Sequence, residues 1–233
     1  MVHLLLDPTE QQDIPDEKWQ STMMKQNKSI EAFEKIKLKF SSYVQSYSVL
    51  NRTELPSENC AEPGIINPTK EFVNNPPVLS YGHYGAFMAH KRGILENFHE
   101  DIDILIVIEG DVVTDLTPSE FHQKVMDAYH FANRLDACMA SFAGQLYLSG
   151  YPYWENDVDY GDWIKVDHFL LGSTYLIFKK EREGIIEKLN TRGWHSPDIW
   201  LAWNYSARCP IFVSKNKLVY QCEGFSMLDY KNK

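Results

Sequence analysis

The stretch that decides the fold is Asp103-Ile104-Leu105-Ile106-Val107-Ile108-Glu109-Gly110-Asp111. Its five aliphatic residues follow one another without polar alternation, which predicts a strand over 103–108 that is buried on both faces. Such strands belong to parallel sheets that helices cover on either side. The run is far shorter than the about 20 apolar residues that a membrane-spanning helix needs, so we expect no membrane span.

The segments on either side of this strand alternate between helix and strand patterns. Upstream, hydrophobic spacing predicts a buried strand, an amphipathic helix, a half-buried strand and a second helix, over residues 2–6, 30–40, 42–50 and 84–98. Downstream, Thr117-Pro118-Ser119-Glu120 is a capping box that opens a helix to about Phe131. Strands near 138–148 and 168–178 follow, and then a helix near 180–190. This order predicts an α/β fold with a mostly parallel central sheet and helices on both faces.

The composition is that of one globular domain that does not bind polyanions. The chain has 233 residues, of which 44% are hydrophobic, and its formal net charge is −9. That charge repels nucleic acids and anionic membranes, so no nucleic-acid partner is expected. A small anionic ligand still fits if a metal ion or a few local cations neutralise it.

The amino terminus and the cysteines bear on the compartment. Residues 1–8 hold three leucines before an acid and a proline, which is not the pattern of a secretory signal. The four cysteines are widely spaced and form no CxxC pair, which favours free thiols in a reducing compartment over a disulfide: Cys60, Cys138, Cys209 and Cys222. We therefore expect a cytoplasmic protein.

Two carboxylates follow the central strand. Glu109 and Asp111 stand at positions i and i+2, so in extended backbone both point to one face at the carboxyl end of the strand. Ligands bind at this edge of open α/β sheets, and Gly110 leaves room for one to lie against the backbone. The two charges repel each other unless one is protonated or a cation lies between them, and oxygen ligands suit Mg²⁺ or Mn²⁺. The alternative is that the acids only end the strand and solvate a loop.

A longer pattern carries a family resemblance. The sequence Tyr81-Gly82-His83-Tyr84-Gly85-Ala86-Phe87-Met88-Ala89-His90-Lys91-Arg92, followed by residues 103–111, resembles the donor-binding half of GT-A-fold glycosyltransferases. The resemblance implies a metal-dependent glycosyltransferase in which Asp111 binds Mn²⁺, or Mg²⁺, on the diphosphate of a nucleotide sugar. Glu109 would face the metal or the donor ribose, and Gly110 would lie beside the donor sugar.

The resemblance also implies how the chain is divided. Residues 1–233 would form a single GT-A-like domain, in which about 1–113 bind the nucleotide-sugar donor. Residues from about 114 to 233 would bind the acceptor, a glycan or another hydroxyl compound. The segment 151–163 mixes aromatic and acidic side chains, which suits an acceptor loop as well as it suits ordinary core anchoring.

Two residues near the carboxyl terminus complete the implied site. Asp198 would be the general base that takes the proton of the acceptor hydroxyl, as late carboxylates do in inverting members of the family. Its alternative is an acid in the first turn of a helix, with Pro197 beside it. His195 would be a third metal ligand, and its alternative is a packed or capping histidine.

Residues of the predicted helix and of the first strand are further candidates for donor binding. His83, Tyr84 and Lys91 occupy positions where this helix meets the donor pocket in the family, although a solvated helix face also explains Lys91. Asp7, just past the first strand, is placed by position alone to touch the nucleoside.

Two other functions remain as alternatives. One is a sugar nucleotidylyltransferase, against which the lack of a Gly-rich basic loop after the first strand counts. The other is a non-catalytic carbohydrate-binding or interaction domain.

Overall fold

A computed structural model describes residues 1–9, 15–48, 81–142, 158–166, 173–205, 209–216 and 218–222. Within these ranges the α-helices are α1 (Asp16–Ile36), α2 (Tyr81–Asn97), α3 (Pro118–Leu135), α4 (Arg182–Thr191) and α5 (Pro197–Tyr205). The strands are β1 (Val2–Leu6), β2 (Val44–Ser48), β3 (Ile104–Glu109), β4 (Val112–Val113), β5 (Met139–Ser141), β6 (Val158–Tyr160), β7 (Trp163–Val166), β8 (Thr174–Phe178), β9 (Ile211–Ser214) and β10 (Tyr220–Gln221). None of the helices in these ranges is long and apolar enough to span a bilayer.

Eight of these strands form one sheet, in the order β2-β1-β3-β8-β5-β9-β7-β6. β1 pairs in parallel with β2 and β3, and β5 pairs in parallel with β9. Only β8 and β7 run against their neighbours within this sheet, so the other six strands point in one direction. The predicted α/β fold with a mostly parallel sheet is therefore confirmed. β4 and β10 form a separate antiparallel pair.

The central strand β3 is buried on both faces, as its unbroken aliphatic run predicts. Leu105 and Val107 join a core cluster with residues of α2, α4 and α5. Ile106 and Ile108 join a second cluster with residues of α1 and α3 on the opposite face. Helices thus cover both faces of the sheet, and the four central side chains of this strand are at most 2% exposed, whereas its two end residues are half-buried.

One edge of the sheet collects the ends of several elements. The carboxyl ends of β1, β2 and β3 meet there, because these strands are parallel neighbours. α2 leads towards the start of β3 and α5 towards the start of β9, so the amino ends of both helices lie at the same edge. We call this the carboxyl edge of the sheet.

The opposite edge carries a disulfide between Cys138 and Cys209, whose Cα atoms are 5.5 Å apart. The prediction of free thiols is wrong for this pair. Met139 pairs with Ile211 in the parallel β5–β9 ladder, which brings together two cysteines 71 residues apart in sequence. Disulfides are rare in cytosolic proteins, so one basis of the expected cytoplasmic location is removed. Cys222 is a free thiol, and Cys60 lies outside the described residues.

Candidate functional site at the carboxyl edge of the sheet

The two acids lie at the carboxyl edge, but not as two positions of one strand. β3 ends at Glu109, and the chain turns at residues 110–111 before β4 begins. The carboxylates are nevertheless close enough to repel each other. Burial, followed by the charge of Glu109, raises the pKa of Asp111 to about 7, whereas the charge of Lys25 acts in the opposite direction. Strand alternation predicts that both carboxylates point to one face; in the structure a turn, not strand geometry, places Asp111 near Glu109.

Helix α1 supplies the wall next to Asp111. Lys25 and Gln26 are only 4% and 5% exposed, although both belong to residue types that are normally at the surface. The amide of Gln26 receives a hydrogen bond from the main-chain N–H of Leu6 at 2.7 Å and donates one to the carbonyl of Leu6 at 2.9 Å. It therefore ties α1 to the end of β1, while Lys25 supplies a buried positive charge near Asp111.

Gly110 is required for packing against the chain itself. A Cβ atom at this position would lie 2.8 Å from the carbonyl oxygen of Leu4 and 3.3 Å from the side-chain oxygen of Gln26. The space on this side of Gly110 is thus filled by β1 and α1. The expectation that the missing side chain leaves room there for a ligand is wrong, because two parallel neighbours and a crossing helix meet at this point.

Glu109 is held by a chain of hydrogen bonds from the interior. Nε2 of His90 lies 3.1 Å from Oε1 of Glu109, and Nδ1 of the same ring lies 2.8 Å from the hydroxyl of Tyr175. His90 and Tyr175 are 4% and 0% exposed, and their rings stack with an interplanar angle of 9°. The other carboxylate oxygen of Glu109 has, within the described part of the chain, one long contact of 3.5 Å, to the amide nitrogen of Gln221.

The predicted nucleoside contact Asp7 lies at the same edge, one residue beyond β1. Its carboxylate accepts hydrogen bonds from the N–H and the hydroxyl of Thr9, at 2.8 and 2.7 Å, and these bonds lower the pKa of Asp7. Lys91 is half-buried on α2, and within the described ranges its amino group has no hydrogen bond or ion pair. Contact of either residue with a nucleotide stays a prediction.

The amino end of α2 packs against the segment that precedes α5. The ring of Tyr84 meets that of Trp194 edge-on, with centroids 5.0 Å apart. His83 and His195 lie near enough to interact, since burial first and then His83 lower the pKa of His195 to about 4. The Nδ1 atom of His195 accepts the N–H of Ser196 at 2.8 Å.

His195 is not assembled with the two acids into a metal site. Among the described residues, no group of three His, Cys or carboxylate ligand atoms within 4.8 Å of one another contains Glu109, Asp111 or His195. The group that meets this distance is Cys138, Glu181 and Cys209 at the opposite edge, where the two cysteines form the disulfide. His195 is buried and contacts the start of α5 through Ser196, as its alternative of a packed or capping histidine predicts, and its role as a metal ligand stays a prediction.

Asp198 lies in the first turn of α5 and is half-buried. The preceding Pro197 lines a small cavity together with His90 and Tyr175, which places the start of α5 beside the hydrogen-bond chain to Glu109. Asp198 is thus an acid of a first helical turn, which was its alternative interpretation, and its role as a general base stays a prediction. The aromatic segment 151–163 falls outside the described residues up to position 157.

The sequence analysis does not identify three residues that lie around the two acids, namely Lys25, Gln26 and Tyr175. It includes His90 in the family pattern but does not predict its hydrogen bond to Glu109. A signal for His90 was present, because it lies on the buried face of α2 between Phe87 and Ile94 at spacings of three and four. A polar residue on an apolar stripe indicates a buried partner. Lys25 and Tyr175 carry no comparable local signal.

The donor set at this edge fits a hard divalent cation. Two carboxylates lie near enough for one to raise the pKa of the other, and a positive ion would relieve this repulsion. Within the described residues, Oε2 of Glu109 has one long contact of 3.5 Å, to Gln221. Two protein carboxylates with further positions for water and phosphate oxygens are the usual surroundings of Mg²⁺.

Comparison with known proteins leaves the family open. No family model matches the chain, and no curated protein matches it. Among solved structures, apo UDP-glucose pyrophosphorylase is similar over 92% of this chain and 90% of its own, with 10% identity and a TM-score of 0.39. A likeness at this level carries no conclusion about family or activity.

Proposed function

We propose that the protein is a metal-dependent glycosyltransferase that moves a sugar from a nucleotide-sugar donor to an acceptor hydroxyl. The observation that carries this proposal is that Asp111 lies in the turn directly after Glu109, where the central strand ends, and that burial, followed by the charge of Glu109, raises the pKa of Asp111 to about 7. An arrangement that is costly without a cation is the expected apo form of a cation site.

In this proposal, different residues at the carboxyl edge bind the metal ion and supply positive charge to the donor. Glu109 and Asp111 would hold Mn²⁺ or Mg²⁺, which supplies positive charge to the departing diphosphate. Lys25 adds a fixed positive charge from within the chain. This local charge is what lets a chain of net charge −9 accept an anionic donor. Residues 1–113 hold these groups, in keeping with a donor-binding amino-terminal half.

Asp198 is the base in this proposal. The acceptor oxygen bonds to the anomeric carbon as the bond from that carbon to the diphosphate breaks, and Asp198 takes the hydroxyl proton. Its support is the position of α5, whose amino end meets α2 beside His90 and Tyr175. Asp198 comes from the carboxyl-terminal half, so donor and acceptor residues would meet at one edge.

Calorimetric titration of nucleotide sugars, with and without Mn²⁺, tests the proposal on the wild type, Asp111→Asn and Asp198→Asn. We expect binding by the wild type only with Mn²⁺, because the diphosphate needs the ion. Asp111→Asn should lose this binding. Asp198→Asn should keep it but lose sugar transfer, measured as release of free sugar or of nucleoside diphosphate.

The control is Asp101→Asn, which alters an exposed acid in the turn before β3. It should match the wild type in both measurements. Equal donor binding by the wild type and Asp111→Asn, with or without Mn²⁺, would overturn the metal site. Donor binding without any transfer would favour a carbohydrate-binding domain, and exchange of pyrophosphate into the donor would favour a nucleotidylyltransferase.

A further inference from the structure

We infer that His90 is a positioning residue for Glu109, and that Tyr175 fixes the tautomer in which His90 can do this. The inference rests on the proposed metal site and deepens it. His90 and Tyr175 are 4% and 0% exposed. They act from the interior, through the carboxylate of Glu109.

The hydrogen-bond partners determine the direction of the chain. An ionised carboxylate only accepts hydrogen bonds, so the 3.1 Å contact to Oε1 of Glu109 requires a proton on Nε2 of His90. In the neutral ring Nδ1 then has a lone pair, and it accepts the hydroxyl proton of Tyr175 at 2.8 Å. Burial, followed by the charge of Glu109, raises the pKa of Tyr175 well above its ordinary value, which keeps this hydroxyl protonated.

The packing leaves the histidine little freedom to turn. Its ring stacks on Tyr175 with centroids 5.7 Å apart, and the surrounding side chains of Phe87, Ile94 and Trp200 are buried. A flipped ring would direct carbon atoms at both polar partners. The N–H group at Nε2 therefore donates its hydrogen bond to one oxygen of Glu109, Oε1.

The consequence is that the two oxygens of Glu109 differ. Oε1 is occupied by His90, while the contact of Oε2 among the residues that the structure describes is the 3.5 Å one to Gln221, and the side chain is 28% exposed. This orients the carboxylate so that Oε2 is the oxygen available to a cation. Outer partners that orient a metal-binding group in this way typically change metal affinity by about 10- to 100-fold when they are removed.

The chain offers a matched control for this device. His3 on β1 is also fully buried, and its Nδ1 also lies 2.8 Å from a tyrosine hydroxyl, that of Tyr43. Its Nε2 lies 2.9 Å from the hydroxyl of Ser29, and it interacts with the main chain of Glu109 rather than with the carboxylate. Tyr43→Phe therefore removes a comparable hydroxyl from a comparable pair, without reaching Oε1.

The test is a titration of the full chain with Mn²⁺ alone, in which electron paramagnetic resonance measures the concentration of free Mn²⁺. Tyr175→Phe should weaken Mn²⁺ binding about tenfold, and Tyr43→Phe should leave it unchanged. His90→Gln, which keeps an N–H group, should lose less affinity than His90→Ala. Nitrogen NMR of the metal-free protein should show His90 with its proton on Nε2, and a mixture of tautomers in Tyr175→Phe.

Each outcome decides the inference. Equal weakening by Tyr175→Phe and Tyr43→Phe, or a proton on Nδ1 of His90, overturns it while the proposed function stands. Absence of Mn²⁺ binding by the wild type overturns the metal site itself, and the role of His90 with it. If Mn²⁺ affinity falls only in those variants whose thermal midpoint also falls, and by a parallel amount, the effect is one of general structure, and this result also overturns the inference.

Discussion

At the scale of single residues, the charge of Asp111 makes stability depend on pH. The pKa of this carboxyl is raised from 3.8 to about 7 in the metal-free protein, so between these values the folded state binds a proton that the unfolded chain has lost. The stability that this group contributes is therefore fully present below pH 3.8. It is lost as the pH rises towards 7, where the folded state must ionise a half-buried acid next to Glu109.

Asp111→Asn removes that loss. We expect the variant to be more stable than the wild type at pH 8, with the difference shrinking as the pH falls to 4. Urea unfolding at a series of pH values without divalent metal measures this. Asp101→Asn is the control on an exposed turn. A difference from the wild type that does not change with pH would contradict the assigned burial and repulsion.

Two glycines, Gly110 and Gly85, should respond in opposite ways to substitution by alanine. Gly110→Ala would force a Cβ to within 2.8 Å of the Leu4 carbonyl, and overpacking of this kind costs about 1–3 kcal/mol. Gly85 lies inside α2 with nothing within 4 Å of a new Cβ, so Gly85→Ala should stabilise the protein by up to about 1 kcal/mol. Denaturant unfolding of both variants checks the signs. Two changes of the same sign would contradict the packing described for Gly110.

At the scale of elements, the capping box of α3 is a prediction from sequence that the structure confirms. Thr117 accepts the N–H of Glu120 through its hydroxyl, and Glu120 accepts the N–H of Thr117 at 2.8 Å. Thr117→Ala should cost about 1 kcal/mol of unfolding free energy. Ser119→Ala, in the same exposed turn, is the matched control. Equal effects on the urea midpoint would show that the box contributes nothing beyond helix propensity.

Elements with strong local signals are the ones that the sequence predicts. The sequence predicts β3 over 103–108, and the strand spans Ile104–Glu109. The prediction succeeds because an unbroken run of aliphatic residues is typical of a strand that is buried on both faces. The sequence predicts α5 only as the alternative interpretation of Asp198, since the segment 194–205 is so rich in apolar residues that no polar face marks a helical period. The antiparallel entry of β8 between β3 and β5 is equally unmarked, because strand pairing depends on partners far away in sequence.

In the candidate site, too, the residues with a local sequence signal can be predicted, and those brought in by distant elements cannot. Glu109 and Asp111 are recognisable because they directly follow a decisive strand. Lys25 reaches the same place from α1, and Tyr175 from β8, so only the assembled sheet brings them together. The role of Gly110 was misread for the same reason, since the atoms that fill its empty side belong to β1 and α1.

At the scale of the whole molecule, the Cys138–Cys209 disulfide joins the starts of two neighbouring strands across 71 residues. Cross-linking a loop of this length removes conformational freedom from the unfolded chain, which on the entropic account stabilises the folded state by about 4 kcal/mol. Both cysteines lie at the edge of the sheet opposite to Glu109 and Asp111. Reduction should therefore lower global stability without changing the geometry of the candidate site.

Two measurements on the wild type and on the Cys138→Ala, Cys209→Ala double variant separate these effects. Dithiothreitol should lower the urea midpoint of the wild type towards that of the double variant, and it should leave the double variant unchanged. The affinity for Mn²⁺ should be the same in oxidised wild type and double variant, as long as both remain folded under native conditions. A midpoint insensitive to reductant would mean that the pair exists as thiols, whereas a fall in Mn²⁺ affinity in the folded double variant would mean that the two edges of the sheet are coupled.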